Sequence, residues 1–362
     1  MKSKLLFVVF LLMISHRYST AQKLAPGEIE FEGVEYFWNI VEKIEKNNEP
    51  TIQDWDQLFG TVAYNYLAKE SGRELIIDRI SIAYSPQKAS ERNEILTKNN
   101  YESMILEHLN KARSNRIIIE KYTDSLRHAP LLSNSLKDTQ KYLPKHFINR
   151  HKDAYPSLAF AIFEPDGKAN NEIIVVDVAF ARQIDLKLFL AHEAHHFFIS
   201  KIRKQMKSAE DNMEYILKTI RQLHLEGIAD LIDKRGILTS PETLSEDENW
   251  YAYHYKNYYN NARQTFSKID HLIQNYNVSG NEDIGESIWK TLHFGTHPEA
   301  MHMALLIEKA FGRQHIITLL ENPFDYLRSY QKAAILYPDE GWVFSDASMS
   351  FFNGLEKSYL IH

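Results

Sequence analysis

The sequence predicts an α+β fold that is predominantly helical, with a small β-sheet beside two metal-bearing helices. Three observations lead to this fold class. Apolar residues recur at helical spacing over most of the chain. Two β-rich runs, 158–163 and 173–178, interrupt that pattern. Soon after them comes an apolar helix that contains His192-Glu193-x-x-His196, and then a second helix that carries Glu226.

The first 21 residues are typical of a secretory signal. Lys2 and Lys4 precede an apolar run from Leu5 to Ile14, which is too short to span a bilayer comfortably. Small residues end the segment at Ala21, after which we expect cleavage; the alternative is an uncleaved anchor. No later run is apolar enough to cross a membrane.

Composition narrows the class of protein. The chain has 362 residues, of which 44% are hydrophobic and 12% aromatic, enough for a packed core. The formal charge of −6 gives no reason to expect nucleic acid or an anionic membrane as a partner. The absence of cysteine excludes disulfides, a thiol nucleophile and thiolate zinc ligands. With the signal, it fits an exported bacterial protein, periplasmic or secreted.

The chain is divided by pattern alone, because it has no internal repeat and no low-complexity linker. The predicted regions are a signal peptide 1–21, a helical region 22–150, a core 151–240 and a C-terminal helical region 241–362. Within the first helical region, the predicted helices cover 35–46, 51–67, 91–113 and 116–127. Thr51 and Asp54 form an N-cap pattern at the start of the second of these helices.

The two β-rich runs predict a hairpin. Glu164-Pro165-Asp166-Gly167 lies between them and has the composition of a turn. Such a strand pair could hold an extended peptide by strand addition, or it could be ordinary sheet.

The helix after the hairpin should begin near Asp185 and run to about Lys204. Histidines four residues apart are separated by about 40° and about 6 Å of rise, so His192 and His196 leave the same face and suit two ligands of zinc. Glu193 lies about 100° further round, within reach of a water without being a ligand. The alternative is a buried helix whose histidines hydrogen-bond to carbonyl groups.

A second helix, from about Glu210 to Lys234, offers the third ligand. Glu226 lies on its apolar face, and Asp230 follows one turn later on the same face. That arrangement suits a ligand and an acid that orients a ligating imidazole. Gly227 permits another helix to approach closely. Taken alone, the two acids would be an ordinary surface pair.

The rest of the chain is mostly helical. The segment from Trp250 to Tyr276 is rich in aromatic residues, which we interpret first as a packing surface. Further helices are predicted at 301–311, 314–320 and 326–334, with a loop and helix start at 295–299.

His192-Glu193-x-x-His196 followed by Glu226-x-x-x-Asp230 resembles the gluzincin metallopeptidases, the thermolysin-like superfamily. The resemblance implies a zincin-like core at 151–240 with one Zn²⁺ per chain. By it, His192, His196 and Glu226 are the metal ligands, Glu193 is the general base and Asp230 supports a ligating histidine. The gap of 30 residues between His196 and Glu226 is longer than in thermolysin.

The sequence is more similar to an uncharacterised group of exported bacterial proteins regarded as zinc-dependent peptidases. These share an E-G-x-A segment and a His-Pro segment before a Met-Ala helix, here Gly295 to Ala304. The resemblance covers roughly Ala161 to Ala334. It implies a peptide or protein as substrate, no nucleic acid, and no stable membrane span once the signal is removed.

Peptide hydrolysis also needs a donor for the oxyanion of the tetrahedral intermediate. His297 is the candidate, because it lies in a loop ahead of a helix whose N-terminus adds a favourable dipole. Tyr255 and Tyr258 are rivals, and a structural role for His297 is equally open.

Two other classes of protein remain open at this point. Glu193-x-x-His196 and Glu299-x-x-His302 are two Glu-x-x-His motifs, the ligand pattern of a di-iron carboxylate bundle. Against it, Pro298 places Glu299 in the first turn of its helix, and His192 would have no role. The second class is a non-catalytic binding protein on a peptidase-like fold. Metal content distinguishes the three: one zinc, two irons or none.

Overall fold

A computed structural model describes residues 24–151, 154–239, 250–279 and 283–361. The predicted signal peptide and its cleavage site lie outside the described residues. The strands are β1 Ile29–Glu30, β2 Ser157–Ala161, β3 Gly167–Ala169 and β4 Ile173–Asp177, in the sheet order β1-β2-β4-β3. Among the described residues, none of the helices combines the length and hydropathy that crossing a membrane requires.

Helices make up most of the chain, so the predicted fold class is confirmed. Up to β4 they are α1 Glu32–Glu45, α2 Ile52–Gly60, α3 Val62–Ser71, α4 Arg73–Tyr84, α5 Ala89–Leu96, α6 Tyr101–Ser114, α7 Arg116–Leu126, α8 Leu131–Thr139 and α9 Lys145–Arg150. After β4 they are α10 Val178–Ala181, α11 Leu186–Ile202, α12 Asp211–Asp233, α13 Arg235–Thr239, α14 Trp250–Asn260, α15 Ala262–Ser279, α16 Ile284–Lys290, α17 His297–Phe311, α18 Arg313–Thr318, α19 Pro323–Leu336 and α20 Asp346–Tyr359.

The chain forms two compact units. Over the described residues, the first comprises 24–127, Ser157–Asp166 and Val175–Gln183. Its core is aromatic: the ring of Phe37 meets that of Tyr84 edge-on at 5.7 Å between centroids. The buried Glu30 carboxylate accepts hydrogen bonds from the first two amides of α3 at 2.8 and 3.0 Å, which satisfies donors that a helix N-terminus leaves unpaired.

The second unit comprises the described residues within 128–156, 167–174 and 184–361, and it holds every predicted site residue. α11, α12 and α17 form its centre, with α8 and β3 packed against α11. The Thr139 hydroxyl donates to the Ala191 carbonyl at 2.9 Å, which fixes α8 beside the middle of α11. The domain boundaries predicted from the sequence remain predictions.

The hairpin differs from the prediction in one respect. β2 and β4 are neighbours in the sheet, as predicted. The turn at 164–166, however, leads into the short strand β3, which precedes β4 in the chain and lies beside it at the sheet edge. A role in strand addition remains a prediction.

Gly227 is the point of closest approach between α12 and α17. A methyl group at this position would lie 2.5 Å from the carbonyl oxygen of Ala300, far inside van der Waals contact. The Tyr326 hydroxyl donates a hydrogen bond to the same carbonyl at 3.0 Å and also lies beside Gly227, so no space is left for a side chain there. The close helix approach expected at Gly227 is thus confirmed, and it brings the start of α17 to the acidic face of α12.

Candidate metal centre

α11 places the His-Glu-x-x-His residues in the interior of the second unit. Asp185 caps the helix, because its carboxylate accepts a hydrogen bond from the Leu188 amide at 3.1 Å. His192 and Glu193 are buried, and His196 is 18% exposed. The predicted start and the one-face placement of the two histidines are confirmed.

α12 brings three carboxylates to that face of α11. Glu226, Asp230 and Asp233 are spaced by four and then three residues, so they form one stripe along the helix. The side chain of Asp230 is fully buried, and those of Glu226 and Asp233 are 13% and 7% exposed. Such a concentration of buried acids requires positive charge nearby.

The three predicted metal ligands converge on one point. The Nε2 atoms of His192 and His196 lie 3.0 Å apart. The Oε2 atom of Glu226 lies 3.3 Å from the first and 3.2 Å from the second. Ligand atoms about 2.0–2.1 Å from a tetrahedral zinc ion are about 3.3 Å from one another. The triangle therefore has the dimensions of one face of a zinc tetrahedron.

The Oε2 atom of Glu226 points to the same conclusion. It is buried and receives no well-directed hydrogen bond from the described residues, although imidazole nitrogens lie 3.2–3.5 Å away. An orphaned carboxylate oxygen in a protein interior is rare and needs an explanation. Burial raises the pKa of Glu226, but the imidazoles of His196 and His297 outweigh burial and hold that pKa well below its usual value. An ionised carboxylate among imidazoles fits a divalent cation.

Asp233, which the sequence analysis did not single out, orients His192. Its Oδ1 lies 3.0 Å from Nδ1 of His192, whereas the Oδ1 of Asp230 is 3.5 Å away. Asp233 also accepts a hydrogen bond from the buried ammonium of Lys234. Burial lowers the pKa of His192, but the Asp233 carboxylate outweighs burial, and the pKa lies well above its usual value. The spacing of seven residues after Glu226 was the signal that would have found Asp233.

Asp230 instead holds His297. Both of its oxygens lie near Nδ1 of His297, at 2.9 and 3.1 Å. The Tyr255 hydroxyl donates to Asp230 Oδ2 at 2.9 Å. Burial lowers the pKa of His297, while Asp230 and then Glu226 raise it more, to about 9. His297 therefore lies in the cluster, 3.5 Å from Oε2 of Glu226, and carries a proton at neutral pH.

The backbone before His297 is strained. Phe294, Gly295 and Thr296 have φ angles of 45°, 65° and 89°, in the left-handed region that only glycine adopts readily. Thr296 is also fully buried. The two non-glycine residues among them, Phe294 and Thr296, cost on the order of 1–3 kcal/mol each, and strain of this kind is found at functional sites.

Glu193 lies beside the two histidines without entering the triangle. One of its carboxylate oxygens lies within 4.8 Å of a ring nitrogen of His192 and of a ring nitrogen of His196. Among the residues that the structure describes, it makes no hydrogen bond, so its oxygens are available to accept a proton from water. Its role as general base remains a prediction.

The second Glu-x-x-His motif lies elsewhere. Glu299 is fully buried and receives a hydrogen bond from Nδ1 of His293 at 2.6 Å. The ring of His302 packs against Tyr259 and Phe266, and burial lowers its pKa to about 4. Among the described residues, neither belongs to the clusters that could hold a metal ion, so the structure does not bring the two motifs together as a di-iron site requires.

The family that this chain matches is described as zinc dependent, which agrees with a cluster of residues that could hold a metal ion. The family model described as "Putative zinc dependent peptidase (DUF5700)" matches residues 48–338. The chain belongs to this family. No curated protein and no solved structure matches the chain. The family match begins at residue 48, so it takes in most of the N-terminal helical region, to which the sequence resemblance did not extend.

The family description names zinc, so the role of Asp233 in supporting His192 can be tested by measuring zinc affinity. We predict that Asp233→Asn raises the dissociation constant for zinc by about 10- to 100-fold, the scale found when a hydrogen-bonded partner of a ligating histidine is altered. Asp230→Asn, which disturbs His297 instead, should have a much smaller effect. Competitive titration with a zinc-binding dye measures both. Equal losses in the two variants, with unchanged melting temperatures, would contradict this division of roles.

Proposed function

We propose that the chain is a gluzincin-like zinc peptidase that hydrolyses amide bonds in peptides or proteins outside the cytoplasm. The triangle of His192 Nε2, His196 Nε2 and Glu226 Oε2, with edges of 3.0–3.3 Å, carries this proposal. Zinc held there would supply a Lewis acid that lowers the pKa of water, so that hydroxide is available near neutral pH, and that polarises a carbonyl group.

Glu193 is the general base in this proposal. A buried carboxylate next to the metal ligands can take a proton from water during attack and give it to the amine that leaves. The balance is that of hydrolysis: the C–N bond breaks, a C–O bond forms, and both protons of the water are retained in the products. Unlike the ligands, Glu193 contributes no atom to the metal triangle.

His297 is the proposed oxyanion donor. Asp230 fixes its Nδ1, which leaves Nε2 as the ring nitrogen that can donate to the substrate. The carboxylates of Asp230 and Glu226 raise the pKa of His297 to about 9, which favours a ring with both nitrogens protonated. The rival Tyr255 is engaged with Asp230, and the ring of Tyr258 stacks on His293 at 3.7 Å between centroids. Both tyrosines therefore act better as supports than as donors.

The acids are arranged differently from the pattern that the resemblance implies. There, the acid four residues after the glutamate ligand supports a ligating histidine. Here, Asp233 is nearest to His192 and Asp230 serves His297. We propose that α12 thus provides a ligand, an acid for the oxyanion donor and an acid for a ligand on one stripe. One helix then sets three distances that catalysis needs.

The proposed function is tested with the full-length zinc-loaded protein and a mixed pool of internally quenched peptides. Wild type should cleave the pool. His297→Ala should lower the turnover number about a hundredfold with the Michaelis constant nearly unchanged, because an oxyanion donor acts mainly in the transition state. Its zinc content should equal that of wild type. No cleavage by zinc-loaded wild type would contradict the peptidase assignment, and full turnover by His297→Ala would leave this histidine a structural role.

A further inference from the structure

α14 is bound to the candidate metal centre through one buried tyrosine. Tyr255 is fully buried, and its hydroxyl lies 2.9 Å from Asp230 Oδ2 and 3.4 Å from the carbonyl oxygen of His297. On a helix, the residues four before and three after a position share its face. The side chains of Tyr251 and Tyr258 therefore flank Tyr255, next to the start of α17.

Those side chains meet Phe294, the first residue of the strained loop. The ring centroid of Phe294 lies 5.2 Å from that of Tyr251, 5.5 Å from that of Tyr258 and 5.5 Å from that of Trp250. We call these four residues the aromatic rim. Phe294 precedes His297 by only three residues, so the aromatic rim adjoins the proposed oxyanion donor.

Two features distinguish the aromatic rim from ordinary core. Trp250 is 54% exposed and Tyr251 is 38% exposed, although both are large side chains that proteins bury when they serve packing alone. The base of the aromatic rim is nevertheless fixed, because Tyr258 stacks on His293, which is hydrogen-bonded to the buried Glu299. Exposed rings on a fixed base, next to a reaction centre, are typical of a binding surface.

We propose that the aromatic rim is a specificity subsite that binds an aromatic or large aliphatic side chain of the substrate peptide beside the bond to be cleaved. This inference rests on the proposed peptidase function and names its substrate class. The packing surface expected for the aromatic segment applies to Tyr255, whereas Trp250 and Tyr251 present ring surface to solvent. A ring or branched side chain of the substrate covers that surface and gains affinity from burial on both sides.

The test uses two pools of internally quenched octapeptides with random flanks. The fixed central pair is Phe-Phe in one pool and Ser-Ser in the other. Zinc-loaded wild type should cleave the Phe-Phe pool at least about tenfold more efficiently, the discrimination that an apolar pocket typically gives. Trp250→Ser combined with Phe294→Asn should reduce that ratio to within about twofold. Asparagine tolerates a positive φ, so the second change removes the ring with little backbone penalty.

Tyr253→Ser is the matched control. Tyr253 lies on the same helix and is 42% exposed, but its ring contact is with His254 and not with Phe294. This variant should keep the wild-type preference. Zinc content and melting temperature, measured on every variant, identify any that is misfolded. An unchanged ratio in the double variant, or an equal loss in Tyr253→Ser, would overturn the inference.

A binding measurement separates this inference from the proposed function. Zinc-loaded Glu193→Gln, immobilised, should retain the Phe-Phe pool at least about tenfold more tightly than the Ser-Ser pool. The same preference without any cleavage by wild type would support the subsite and contradict the peptidase. Equal retention of both pools would contradict the subsite, whether or not wild type cleaves them.

Discussion

Replacing Glu193 with glutamine should leave a folded protein that still holds zinc and has lost hydrolysis by about 100- to 10,000-fold, the range attributed to a positioned general base. Glutamine has the shape of glutamate and cannot accept the proton. The metal triangle does not include Glu193, so zinc binding should not change. The measurement is kcat/KM on the mixed peptide pool, with zinc determined by atomic absorption on the same sample.

Glu286→Gln is the control for this change. Glu286 is half exposed, pairs with Lys290 on α16 and is not among the residues of the metal-binding clusters. It should have wild-type activity. Activity near wild type in Glu193→Gln, at wild-type zinc content, would place the proton transfer elsewhere and contradict the assignment of Glu193 as the general base.

His196→Ala should remove most of the zinc, which we expect at about one ion per chain in wild type. The substitution deletes one of three ligand atoms, and a site with two protein ligands binds zinc weakly. Loss of the metal also leaves the Glu226 carboxylate buried with less positive charge around it, so the melting temperature should fall. Zinc content, by atomic absorption after dialysis against a weak chelator, and thermal unfolding are the two measurements.

His146→Ala serves as the control for the loss of a histidine. His146 is exposed on α9 and should keep both zinc content and melting temperature. Unchanged zinc in His196→Ala would remove this histidine from the ligand set. Two iron atoms per chain in wild type would instead support the di-iron carboxylate alternative.

The sequence was most informative where one physical pattern dominated. α11 begins after a capping aspartate and is apolar nearly all round, so both its start and its burial were predictable. α12 was found because Glu226 and Asp230 share an apolar face. Periodicity was weaker at helix breaks. The helix predicted over 51–67 is two helices, because Thr61 adopts an extended backbone and its side chain caps α3.

A second break has the same cause. The helix predicted over 91–113 is interrupted where Asn99 has a φ of 46° and Asn100 caps α6. The aromatic segment bends near Asn261, between α14 and α15. Apolar spacing continues across such single residues, since the chain resumes a helix after each one. A capping side chain within an apolar pattern therefore carries more information than the pattern itself.

The arrangement of the site was only partly predictable. Which acid serves which histidine depends on the rotation of α12 relative to α11, and a difference of three residues is within one turn. Spacing alone therefore could not separate Asp230 from Asp233. The aromatic rim was equally hidden, because tyrosines at helical spacing look the same whether they face a core or a substrate.

The contact at Gly227 determines what can vary around this site. It joins main chain to main chain, because the carbonyl of Ala300 lies against the bare Cα of Gly227. The separation between the Glu226 side chain on α12 and the His297 imidazole at the start of α17 is therefore fixed by a backbone contact, which does not depend on any side-chain rotamer. Outward-facing residues of both helices can drift through evolution without altering that separation. We therefore expect position 227 to accept only glycine, because any side chain there would meet the Ala300 carbonyl.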